Sequence, residues 1–179
     1  MALDKTWFSE ICEESGTAFS VKIQEKLHTE EGSLQTIDIY ATEEYGNMMV
    51  IDGLIMITDR DNQIYHEMIS HPALFCHKNP RKLAIIGGGD CGTLKEVLKH
   101  KSIESVTLIE IDENVVLLAK KFFPVLAHAA EDDRATILHE NGAKWIKKHS
   151  DLDIILIDST DPIGPAQELF SEEFYKDCH

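Results

Sequence analysis

This sequence is short of basic residues and has no long apolar run. Its 17 Lys and Arg stand against 32 Asp and Glu, a formal net charge of −15. An acidic field of that size repels phosphate backbones and anionic lipid surfaces, so neither nucleic acid nor a membrane is an expected partner. A small cation is a suitable one. The strongly apolar stretches, such as Ile154 to Ile157, fall far short of a membrane span, and the opening MALDKTWFSE lacks the apolar centre of a signal peptide. Cys12, Cys76, Cys91 and Cys178 form no C-x-x-C pair, and the nine histidines form no H-E-x-x-H. That spacing gives no disulfide framework and no metal site, and a reducing, cytoplasmic setting is expected.

What is present suits a globular chain: 43% of the 179 residues are apolar and 27% charged. Residues 1–60 read as an antiparallel β domain. TIDIY alternates Ile37 and Ile39 with polar neighbours, Tyr45-Gly46-Asn47 marks a turn, and Asp52-Gly53 marks a tight hairpin pairing Met48–Ile51 with Leu54–Ile57. Residues 61–82 read as a linking helix and loop. Ile64, Met68 and Ile69 recur at helical spacing, Asp61 is placed to cap, Pro72 predicts a kink or an end, and KNPRK follows as a loop.

From 83 to 179 short apolar strands alternate with helical patterns. Leu83–Ile86, Val106–Ile111, Ala135–His139 and Asp153–Asp158 are the strands; TLKEVLKH, ENVVLLAKKFF and AKWIKKH are the helices. Such alternation predicts an α/β fold with a parallel sheet, whose site lies beyond the carboxyl ends of its strands.

Those ends are acidic. GGGDCG (87–92) delivers Asp90, and further along come Glu110, Glu140, and DSTDPIGPA with Asp158 and Asp161; the motifs contain no Lys or Arg. GGGDCG satisfies G-x-G-x-x-G, the dinucleotide pattern, in which pyrophosphate sits over a helix N-terminus. Asp90 falls in that place and would repel it while attracting an amine. Glu110 lies 18 residues after Gly92, where an acid hydrogen-bonds both ribose hydroxyls. The combination predicts a nucleoside without phosphate, unless the glycines only permit close helix packing. Asn141-Gly142 either accepts from an adenine amino group or simply forms a turn. In DSTDPIGPA, two acids with the hydroxyls of Ser159 and Thr160 suit binding and deprotonating an alkylammonium ion beneath a stiff Pro-Ile-Gly-Pro loop that gates the pocket. Asp161 has the alternative role of capping a turn before Pro162.

YGNMMVIDG, RDNQIYHEMISH, IIGGGDCGTLKEVLKH, IEID and DSTDPIGPA, in this order and spacing, resemble the polyamine aminopropyltransferases, the spermidine synthases in particular, from about Trp7 to the last residue. The resemblance implies a Rossmann-like, methyltransferase-type parallel sheet preceded by a small antiparallel β domain. It also implies aminopropyl transfer from decarboxylated S-adenosylmethionine, a co-substrate, to putrescine, giving spermidine and methylthioadenosine, with no permanently bound cofactor and no metal. Asp158 then corresponds to the proton acceptor. Tyr65, His66, Asp90 and Asp161 correspond to amine contacts, and Gln35, Gly87, Gly89, Glu110, Asn141, Gly142 and Pro165 to nucleoside contacts. Tyr65 offers its ring to the amine or else packs as helix core.

Three departures from the family stand out. Cys91 replaces a glycine, which makes the φ at that position a question. Asn141 replaces an aspartate. The chain ends at SEEFYKDCH, before the strands that complete the family's sheet, and an exposed sheet edge is expected. A homodimer or homotetramer involving the β domain is implied. The alternatives are a diamine N-methyltransferase using S-adenosylmethionine, and a non-catalytic fragment that binds nucleoside or polyamine.

Overall fold

The computed structural model describes residues 3–162 and 164–179; Ile163 and the side chain of Pro165, both in the expected gating loop, lie outside the described residues. The chain divides into two compact units, Met1–Asn62 and Gln63–His179.

The first unit is a five-stranded antiparallel sheet in sequential order: β1 (Trp7–Cys12), β2 (Thr17–Glu31), β3 (Thr36–Thr42), β4 (Asn47–Ile51) and β5 (Leu54–Thr58). The expected hairpin is present, with Ile51 opposite Leu54 and positive φ at both Asp52 (49°) and Gly53 (86°). This is the conformation whose twist matches the flanking strands. One face packs Val21, Tyr40, Met48 and Val50 with Phe8, Ile23, Tyr45 and Ile55. At the edges, Glu10 of β1 accepts a hydrogen bond from the Ile55 amide of β5 at 2.7 Å, so the sheet curls until its outer strands meet.

The second unit opens with α1 (Asn62–Cys76). Pro72 lies inside this helix and does not end it. The helix buries His66, Ser70 and Leu74, while Ile64 and Met68, which set the apolar spacing, are 63% and 67% exposed. The period was legible, but the face it turns inward is the polar one.

Then follow β6 (Lys82–Gly87), α2 (Gly92–Leu98), β7 (Ser105–Ile109), α3 (Glu113–Phe122), α4 (Pro124–Ala127), β8 (Ala135–Leu138), α5 (Gly142–Ile146), β9 (Ile154–Asp158), a 3-10 turn over Gly164–Phe170 and α6 (Glu172–Cys178). The strands form a parallel sheet in the order β8-β7-β6-β9. Alternation along β6 sends Leu83 and Ile85 to one face, with Leu74, Leu94 and Val97, and Ala84 and Ile86 to the other, with Ala143, Trp145, Ile146 and Phe174. The sheet is therefore covered on both sides, as a parallel sheet requires.

β6 has β7 on one side and β9 on the other, so the strand order reverses there, the point beyond whose carboxyl ends an open α/β sheet places its ligand site. Among the described residues β9 pairs with β6 alone, which leaves it as an edge strand.

Candidate active site

Asp158 ends β9 directly opposite Gly87 of β6. Gly87 has φ +84°, and a Cβ there would lie 2.0 Å from the Asp158 carbonyl oxygen. Only glycine permits that backbone conformation and that approach together, and the approach sets the Asp158 carboxylate over the glycine loop. The carboxylate is buried; Oδ1 accepts from the Tyr65 hydroxyl at 2.7 Å and Oδ2 from the Thr93 hydroxyl at 2.6 Å. Burial and the neighbouring Asp90 raise its pKa above the ordinary carboxylate value, against the pull of Thr93, Tyr65 and His66. It is a stronger base than an exposed carboxylate. Burial and Asp158 push the Tyr65 phenol well up, so Tyr65 stays a hydrogen-bond donor; it is half-exposed and is not helix core.

Asp90 follows β6. Its Oδ1 accepts from the Gly92 amide at 2.6 Å and lies 3.2 Å from His66 Nε2. A carboxylate therefore occupies the start of α2, where a pyrophosphate would have to sit, and the dinucleotide pattern is misleading here. His66 packs against Gly92 so closely that a Cβ there would stand 2.0 Å from its ring. The ring is 1% exposed, and neither ring nitrogen has a hydrogen-bond partner among the described residues. Burial opposes its protonation, but Asp90, Asp158 and Glu96 outweigh burial and raise its pKa.

Glu110, one residue beyond β7, accepts from the Gly89 amide at 3.1 Å and the Asp112 amide at 3.0 Å. Burial nevertheless pushes its pKa up to about 7. Each oxygen has one lone pair engaged by backbone and another for a hydroxyl group.

Cys91 answers the question its identity raised. It holds φ 68°, ψ 10° as the cap of α2, its thiol is fully buried, and burial raises the thiol pKa to about 12. An L-residue in that region costs about 1–2 kcal/mol. Cys91→Gly is therefore expected to be more stable in urea than Cys91→Ala, although it removes more atoms. The reverse order would refute the strain.

Asn141 caps α5, its Oδ1 accepting from the Lys144 amide at 2.9 Å, and its Nδ2 donates to Glu168 at 3.3 Å. Gly142 is buried beside it at the first position of α5. Ser159 and Thr160 are half-buried, and Asp161 and Glu140 are exposed. Gln35 belongs to the first unit, in the turn between β2 and β3, where its carbonyl accepts from Gly32. The geometry thus joins Tyr65, His66, Asp90 and Asp158 in one cluster and places Gly89 on Glu110 beside it.

Two buried residues near the cluster escaped the sequence reading, Thr93 and Glu96, which read as ordinary positions of TLKEVLKH. Asp112, which the sequence places with Glu110 after β7, caps α3 by accepting from the Asn114 amide.

A parallel sheet with a glycine loop after its first strand, a buried acid after its second and a carboxylate pair at the order reversal defines a Rossmann-like α/β domain. Comparison with known proteins gives the family. Residues 62–179 match the spermine/spermidine synthase domain, and residues 6–59 match the spermidine synthase tetramerisation domain. The chain belongs to the spermine/spermidine synthase family.

It is 54% identical over 180 residues to the polyamine aminopropyltransferase of Thioalkalivibrio sulfidiphilus, covering 99% of this chain and 63% of that protein. Identity to the polyamine aminopropyltransferase of Alkalilimnicola ehrlichii is 52%, covering 97% and 62%. A crystal structure of spermidine synthase in complex with the transition-state analogue AdoDATO matches with a TM-score of 0.94 at 38% identity, over 99% of this chain and 61% of that one. The spermidine synthase of Thermotoga maritima matches with a TM-score of 0.90 at 39% identity, over 96% and 58%. The chain thus spans about three-fifths of the length of these relatives. Among the described residues no helix is long and apolar enough to cross a membrane, and no group of three or more His, Cys, Asp and Glu could hold a metal ion.

Proposed function

We propose that this chain carries the reaction centre of a polyamine aminopropyltransferase, moving the aminopropyl group of decarboxylated S-adenosylmethionine to putrescine and releasing spermidine and methylthioadenosine. The observation that carries the reading is the Asp158 carboxylate, buried, fixed by two hydroxyl donors, and set beside Asp90 at the mouth of the nucleoside crevice. Asp158 takes a proton from the ammonium group. The electron pair left on nitrogen attacks the methylene carbon next to the sulfonium sulfur, the C–N bond forms as the C–S bond breaks, and sulfur leaves with the electron pair of the C–S bond as a neutral thioether. The leaving group needs no acid, so alignment and one base suffice.

Asp90, Asp161, Tyr65, His66, Ser159 and Thr160 hold the amine chain. Glu110 takes the ribose hydroxyls, Asn141 and Gly142 face the adenine, and Gly87 and Gly89 bring the backbone close. The match of residues 6–59 to a tetramerisation domain supports homo-oligomer formation through the first unit.

Product analysis with each sulfonium donor is the test. Spermidine with methylthioadenosine is expected from putrescine and decarboxylated S-adenosylmethionine. Methylputrescine from ordinary S-adenosylmethionine as the only product would overturn aminopropyl transfer, and calorimetric binding of methylthioadenosine without any turnover would leave a binding fragment.

A further inference from the structure

We infer that Thr93 is a positioning residue for this reaction: by donating to Asp158 Oδ2 it fixes the carboxylate so that Oδ1 alone receives the proton of the amine. The inference rests on the function proposed above. It begins from the unequal surroundings of the two oxygens. Oδ2 is enclosed, with the Thr93 hydroxyl at 2.6 Å, and the backbone at Gly88 comes so near that a Cβ there would lie 2.7 Å from it. Thr93 is fully buried at the second position of α2, so its hydroxyl has no exchange with solvent. Oδ1 instead faces Tyr65, which is 49% exposed. On this reading the amine approaches from that less enclosed side, through the second lone pair of Oδ1.

The groups facing the carboxylate are Tyr65 and His66 from α1, Asp90 from the loop after β6, and Thr93 from α2. Of these, Thr93 can be changed without altering the count of charges. Thr93→Val keeps the branching and nearly the volume but removes the donor, and a lost donor disfavours the ionised carboxylate more than the protonated one.

The test is the pH profile of kcat/KM for spermidine formation. Thr93→Val is expected to lower kcat/KM about tenfold on the acid side, a deficit that shrinks as pH rises and Asp158 ionises in both proteins. Thr93→Ser should restore the profile. A deficit of the same size at every pH, or none, overturns the inference, because a merely structural residue scales activity without moving its acid limb. If the unsubstituted chain forms no spermidine, the proposed function fails by itself. Carbon-13 NMR titration of the Asp158 carboxyl then reads Thr93 directly. Its midpoint should rise in Thr93→Val and return in Thr93→Ser, and an unmoved midpoint overturns the inference. Thr93→Ala removes the same donor if the valine variant does not fold.

Discussion

Asp158→Asn is expected to lower kcat for aminopropyl transfer by about 10²–10⁴-fold, the usual worth of a positioned base. The amide keeps the size of the carboxyl and offers its oxygen to one of the Thr93 and Tyr65 hydroxyls and its NH2 to the other, but it cannot take a proton. Methylthioadenosine binding should stay within a few-fold, because Glu110 and the Gly89 amide form a separate contact at the end of β7. Steady-state kinetics and calorimetry check the two halves. A kcat within a few-fold of the parent would remove Asp158 as the base.

Stability should move the other way. Asp158 has a folded-state pKa raised above its unfolded value, first by burial and then by Asp90. A raised carboxyl stabilises fully below the unfolded value of 3.8 and loses that contribution as pH climbs through the folded value. Near neutral pH the ionised group is therefore a cost. Urea unfolding should show Asp158→Asn gaining on the parent as pH rises from the ordinary carboxylate range. Loss of activity with a relative gain in stability is the mark of a group held for chemistry.

Gly87→Ala is expected to destabilise the second unit by about 2–5 kcal/mol, the sum of a left-handed penalty and forced overpacking. The new Cβ would meet the carbonyl oxygen of Asp158 at 2.0 Å, with its carbonyl carbon at 2.9 Å. That atom is backbone, locked in register with Gly87, and cannot swing aside as a side chain would. Gly53→Ala provides the comparison, since Gly53 has φ +86° but nothing within 4 Å of a built Cβ. It should cost only about 1–2 kcal/mol. Equal losses in urea unfolding would show that φ alone matters and that the close approach to Asp158 does not.

The strands were legible because period and turn chemistry are local. Asp52-Gly53 demanded a tight hairpin, and the short runs around Leu83, Val106, Ala135 and Ile154, each set between helical patterns, read as strands. Asp90 could be judged from spacing alone, since a carboxylate at the fourth position of GGGDCG stands at the start of the next helix. α1 was harder. Its apolar spacing announced a helix, yet the inward face carries His66 and Ser70 as well as Leu74, because α1 packs against the Asp90 carboxylate at His66 and against the apolar core only near its end. Pro72 was tolerated within the helix, and Cys91 within a left-handed bend, both at sites where surrounding packing outweighs a local preference.

By itself the sequence determined the α/β alternation, the acidic character of the strand ends, and a carboxylate where a dinucleotide loop would hold pyrophosphate, since these depend on residue type at fixed spacing. Tertiary structure alone decided which of those acids act together. Asp158 and Thr93 are 65 residues apart, and Asp158 and Tyr65 are 93 apart. Their hydrogen bonds exist because β6 and β9 pair in a register that Gly87 permits. The raised pKa values of Asp158, His66 and Glu110 likewise belong to burial and to neighbours distant in sequence, which no local pattern encodes.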